Sequence, residues 1–209
     1  MIAPIGLRVA LIVACAAALA GCISLLPKAK PAQLYRLASA DAAEASAARA
    51  SGPTYGLVRV RGSFDRAASG DRILTVAGDQ VAFVAEARWV APATVLFDEA
   101  VSRAFDLNVG PARLANREAG RFDYLLRLDV RDFAAIYENG RDAAPTVVVR
   151  LRAYLIRNRD RALVGDQVFE ARVKTYDNRV SAIAAGFSEA VRQVLSKLVA
   201  WTNENGAAT

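Results

Sequence analysis

Three stretches of strict alternation in the second half of the chain restrict its fold more than any other feature. Tyr124, Leu126, Leu128 and Val130 share one side of an extended segment, with Arg127, Asp129 and Arg131 on the other. Val147, Val149, Leu151, Ala153 and Leu155 repeat the pattern against Arg150 and Arg152, and Phe169, Ala171 and Val173 do so against Glu170, Arg172 and Lys174. Apolar residues two apart share a face in a strand and not in a helix. The three stretches therefore predict three long, half-buried strands. Asn139-Gly140 and the stretch 158–161 supply turn residues between them, so the strands form a meander. Its outer face carries mixed charges, which pair across strands for a few tenths of a kcal/mol each.

Helices cover the apolar face. Ile183, Phe187, Ala190, Val191, Val194, Leu195 and Leu198 recur at helical spacing near the end of the chain. Pro92 is placed to open an earlier helix, whose expected buried stripe through Phe105 is Val95, Leu96, Ala100, Val101 and Ala104. Further strands are expected at 34–37, at Gly56–Arg61, and in a hairpin of 72–76 and 80–87 turning at Gly78-Asp79, with Val81, Phe83 and Ala85 on one face. The fold class is α+β, an α/β sandwich: a mostly antiparallel or mixed sheet with two long helices packed on it. Residues 38–54, rich in alanine and serine, have no apolar stripe to bury and are expected to be a mobile loop.

The N-terminus raises a separate question. Val9–Ala20 is apolar, and continued through Leu26 the run reaches roughly 18 residues, the lower limit for a membrane span. A retained anchor is one reading. Against it, Arg8 makes a short basic start and the run ends in small residues, as an export signal does. Leu19-Ala20-Gly21-Cys22 resembles the lipobox of bacterial lipoproteins, in which the chain is cut before an obligatory cysteine. The expected division is a signal peptide over 1–21, cut between Gly21 and Cys22, a lipidated tether over 22–33, and one domain over 34–209. The resemblance implies an S-diacylglycerol group and an N-acyl chain of palmitate type on Cys22. Two acyl chains already anchor a protein stably. Ile23 after the cysteine, by the sorting rule of that family, implies the periplasmic face of the outer membrane.

Composition excludes several functions. The chain has no histidine, which removes Ser-His-Asp and Cys-His arrangements and HExxH zinc sites. Its second cysteine, Cys15, leaves with the signal. Carboxylate pairs such as Asp98-Glu99 read as solvated helix positions, so no metal site is expected. There is no Gly-x-x-x-x-Gly-Lys-Ser/Thr, and hence no P-loop. Cleavage removes Arg8 and no acid, lowering the formal net charge from +6 to +5. A basic protein that leaves the cytoplasm is not expected to bind nucleic acid; anionic head groups or an acidic protein surface suit it better.

The blocks Asp71-Arg72-Ile73, Gln80-Val81-Ala82-Phe83 and Ala87-Arg88-Trp89-Val90-Ala91-Pro92 resemble the ABC-type transport auxiliary lipoproteins. These are the lipoprotein component of MCE-type and paraquat-inducible-type lipid transport systems. A lipidated cysteine, a Tyr-x-Leu strand and a terminal amphipathic helix ending near a tryptophan, here Trp201, complete the likeness. The chain departs from it at Leu34-Tyr35-Arg36-Leu37, where members often carry paired tyrosines, and in the alanine-serine stretch that follows. The resemblance implies a non-catalytic docking component, with the ATPase in another subunit and no cofactor. Its implied partners are the membrane and an MCE-domain protein, and further copies of the chain are a third candidate.

Candidate contact residues are Arg72, Arg88 and Trp89, together with a basic edge of Arg150, Arg152, Arg157, Arg159 and Arg161, for which a simply solvated edge is the competing reading. For the first three a structural role competes: a tryptophan between hairpin and helix is usually a core plug covered by an arginine. A lipoprotein assembly or chaperone factor for another outer-membrane complex is the alternative function. A lipid- or glycan-modifying enzyme is disfavoured by the missing histidine and the missing Gly-x-Ser-x-Gly.

Overall fold

The computed structural model describes residues 31–38, 53–115 and 121–207. Ala32–Thr209 is one compact unit, distinct from Met1–Pro31. The expected signal, most of the tether and most of the 38–54 stretch lie outside the described residues. Among the described residues the elements of the compact unit are β1 (Gln33–Tyr35), β2 (Tyr55–Val60), β3 (Arg72–Ala77), β4 (Gln80–Trp89), α1 (Ala93–Asp106), β5 (Ala112–Leu114), β6 (Tyr124–Ile136), β7 (Thr146–Arg157), β8 (Leu163–Lys174) and α2 (Val180–Asn205).

The eight strands form one mixed sheet with the two helices packed on it. β6, β7 and β8 are the expected antiparallel meander. All five predicted core residues of β7 are fully buried. β6 is the hub. Along one side it pairs with β7 over nearly its whole length, and its other side is shared. β2 runs parallel to its first residues, Leu57 opposite Tyr124, while β3 runs parallel to its last, Val76 opposite Ile136. Between them the chain after β2 leans across β6 and makes a single bridge, Phe64 to Val130.

That crossing is very close. A Cβ on Gly62 would lie 1.8 Å from the Leu128 carbonyl oxygen, so only glycine fits there. The approach also covers Asp129, which alternation placed on the solvent face but which is 7% exposed. Ser63 N–H donates to its Oδ1 at 2.8 Å, and Arg127 pairs with the same oxygen at 3.1 Å. Burial raises the Asp129 pKa, but these partners outweigh it and hold the carboxyl below its usual value.

Two strands break their own alternation. In β6 the register with β7 shifts by one between Val130 and Asp132, a bulge that moves the core face from even positions to Phe133 and Ala135. In β4 the register shifts beside Glu86, whose φ is +54°. Ala87 and Trp89 then face the core, while Val81 and Ala85 of the expected face are exposed and Phe83 is half-buried. Gly78 turns the hairpin with φ +57°.

The core lies between the helices and the sheet. Phe187 of α2 is fully buried and contacts Trp89 and Phe133 at ring-centroid distances of 5.3 and 4.8 Å. Gly186 brings α2 close to β7, since a Cβ there would lie 2.9 Å from a Val147 methyl. Every predicted stripe residue of α2 is buried. The α1 stripe needs correction. Val95 is 43% exposed and Ala100 and Ala104 are only half-buried, whereas Ala93, Leu96, Phe97, Val101 and Phe105 are buried.

Candidate functional site

Gly21 and Cys22 lie outside the described residues, so the expected lipid site is carried by sequence alone. Among the described residues no helix is long and apolar enough to cross a membrane, and no three metal-binding side chains converge. The features able to meet a partner are surfaces.

The first is the outer face of the meander. Arg150 of β7 pairs with Asp132 of β6 and reaches Glu170 of β8 at 3.8 Å. Arg152 makes two hydrogen bonds to Asp166, one at 2.6 Å. Arg172 pairs with Glu138. The pairing marks both sides: Arg152 pulls the Asp166 pKa down, and Asp132 pushes Arg150 up. Arg150 and Arg152 are therefore neutralised across strands, which corrects their expected place in a basic edge. Such exposed pairs contribute little stability each.

The second is the loop 158–162 between β7 and β8. Ala162 N–H donates to Asp160 Oδ1 at 3.1 Å, and this bond, then Arg157 and Arg159, lowers the Asp160 pKa. Asp160 takes Arg157 at 3.0 Å and Arg159 only at 3.8 Å, with the Arg159 side chain 68% exposed. Arg157, Arg159 and Arg161 outnumber the one acid, so this loop is the basic part of the predicted edge. Its position matters too. β1 runs with β4, β4 against β3, and β3 with β6. The chain thus enters β1 from the side of Ile136, while the loop follows Arg157, opposite Tyr124 at the other end of β6.

The third is the end of the β3–β4 hairpin. Arg88 pairs with Asp71 at 2.9 Å in solvent, and Arg72 stacks on Phe83 at 3.8 Å. Trp89 is 2% exposed, among Phe133 and Phe187. Of the two readings of Trp89, its burial is that of the core plug, which leaves the ring no free face for a partner. Arg72 and Arg88 remain at the surface.

A shallow groove of about 350 Å³ runs between α1 and α2, floored by Val191, Leu195 and Ala104 and flanked by Arg103 and Arg192. Alternation and spacing gave no sign of it, because it depends on how two distant helices cross.

A family model described as the ABC-type transport auxiliary lipoprotein component matches residues 35–199. Among solved structures, a Xanthomonas campestris protein of the DUF330 family is 26% identical, with a TM-score of 0.72 over 84% of this chain and 97% of that one. A hypothetical protein from Chlamydia trachomatis is 7% identical, with a TM-score of 0.51 over 73% of this chain and 97% of that one. At 7% identity that likeness is one of fold alone. No curated protein matches the sequence.

Proposed function

The chain belongs to the ABC-type transport auxiliary lipoprotein family, and from that premise we propose that it is a non-catalytic docking component of an MCE-associated lipid transport system. In this reading Cys22 carries the lipid and holds the domain on the periplasmic face of the outer membrane, as Leu19-Ala20-Gly21-Cys22 and Ile23 suggest. It receives an MCE-domain protein, and the energy comes from an ATPase in another subunit. The observation that carries the proposal is the family match over nearly the whole domain, joined to the lipobox. The lack of histidine supports a passive role, since acid–base chemistry near neutral pH most often uses that residue.

The geometry favours the loop 158–162 as the docking end. The tethered end of the domain enters the sheet from the Ile136 side, and the arginines of the loop project from the opposite end. Arg159, weakly paired and exposed, is the first contact residue, with Arg157 beside it. Arg72 and Arg88 are secondary contacts.

A photoreactive residue at Arg159 in intact cells tests the proposal. An MCE-domain protein should be the captured partner. Reversing charge at Arg157 and Arg159 should weaken the association and flatten its salt dependence without unfolding the domain. Capture of outer-membrane assembly factors alone would favour the assembly or chaperone reading instead.

A further inference from the structure

We propose that the outer edge of β8 is a self-association surface, on which a second copy of the chain lays its own β8 antiparallel and extends the sheet. β8 pairs only with β7 among the described strands. The direction of its backbone groups follows from Thr175, whose N–H reaches the Pro145 carbonyl on the β7 side at 3.0 Å. Alternation then turns Val173, Ala171 and Phe169 toward β7, and Arg172, Glu170, Val168 and Asp166 outward. The Glu170 carbonyl agrees with this, because it accepts from Lys197 Nζ, outside the sheet, at 3.1 Å. Four successive outward residues thus offer N–H and C=O groups at strand spacing, a ready template for another strand.

Charge selects the occupant. Along the outward residues the acids Asp166 and Glu170 come first and the bases Arg172 and Lys174 follow. An antiparallel copy centred on Phe169 sets Asp166, held by Arg152 in its own chain, opposite Arg172 of the second copy, held by Glu138. The in-chain pairs thus join into a network, twice by symmetry, with Val168 opposite Glu170. Opposite charges on facing strands stabilise pairing, and like charges disfavour it. A register centred on Glu170 would oppose that carboxylate to its own copy. The contact is isologous and closes at two chains.

Between its charges the edge also exposes apolar side chains. Leu163 and Val168 are 59% and 43% exposed, and Tyr176 just beyond the strand is 75% exposed. Natural edges are blunted by proline, by shortness, by bulges or by charge; the charges of β8 are of both signs, so a symmetric copy matches them. β8 is 12 residues long, has no proline, and has its one irregularity at its start, beside Leu163. The Lys197 ammonium, and the Gln167 amide 3.4 Å from the Val168 carbonyl, are flexible groups that a second strand would displace. The twofold axis stands across the sheet, so the α2 helices of both copies stay on one face and the layer continues.

The test is the mass of the full chain, purified in detergent, over a dilution series. The parent should sediment as a dimer. Val168→Pro removes an outward N–H and leaves the β7 ladder untouched, and Val168→Glu sets a carboxylate opposite Glu170 of the second copy, twice by symmetry, while facing Arg152 within its own chain. Both should raise the dimer dissociation constant by about tenfold or more while the circular dichroism and Tm stay at parent values. Val81→Lys, on the exposed part of β4, should change nothing. Should Val168→Pro unfold the strand, Val168→Glu decides. A monomeric parent at every dilution, an assembly larger than two, or a dimer that survives both substitutions with the fold intact would overturn the proposal.

Discussion

Tyr55 ties the first long strand to the last turn of the terminal helix. Its hydroxyl donates to the Thr202 carbonyl, 147 residues away, and its ring meets Tyr124 edge-on at 5.4 Å. Burial, and then the neighbouring Tyr124, push its pKa from 10.0 up to about 12. The folded chain therefore holds this proton more tightly than the unfolded one. Its contribution to stability is complete below pH 10 and is lost as pH climbs toward about 12. Tyr55→Phe should cost about 1 kcal/mol at neutral pH and flatten the fall in stability between those two pH values. Urea unfolding of both proteins across the alkaline range measures this, and parallel curves would count against it. Neither Tyr55 nor Asp129 was legible as a buried polar group. Each is defined by a partner remote in sequence, Thr202 for one and the Gly62-Ser63 crossing for the other. Trp89 was legible, as one of two readings, because hairpin, tryptophan and helix-opening proline are local neighbours.

Strands were readable where their alternation runs unbroken. β7 keeps one phase from Val147 to Leu155, and its core face follows from the sequence. β6 changes phase at its bulge, and the sign is present in the sequence: the apolar positions are even up to Val130 and resume at Phe133 and Ala135. Spacing alone also misplaced α1, since its true stripe follows i and i+4 steps from Ala93 through Phe97 and Val101 to Phe105. α2 was read correctly because its apolar face is broad and faces both β7 and β8. That face makes a sharp prediction. Phe187 is fully buried between Trp89 and Phe133, so Phe187→Ala should cost about 3–5 kcal/mol through the cavity it leaves. Chemical denaturation would show it as a lowered midpoint with a similar slope. A shift below about 1 kcal/mol would mean that the aromatic cluster repacks without loss.

For the whole molecule, the prediction concerns attachment. With no membrane-crossing helix among the described residues, the lipid on Cys22 is the expected means of holding the domain at its membrane. Cys22→Ser should move the protein from the membrane fraction to the soluble fraction while leaving its far-ultraviolet circular dichroism unchanged. Retention in the membrane fraction would mean that residues 1–26 anchor the chain uncut. The shared side of β6 has a consequence of another kind, in the order in which the molecule is made. β2 and β3 are both synthesised before the strand they pair with: Leu57 meets Tyr124, and Thr75 meets Ala135. Both pairings are parallel and close long stretches of chain. Neither can form until residues beyond 124 have emerged from the ribosome or from the export channel. β6, β7 and β8 follow one another with only short turns between and need no such wait. The half of the domain that appears first can close its own β3–β4 hairpin, but the edges that β2 and β3 present to β6 must wait for the other half.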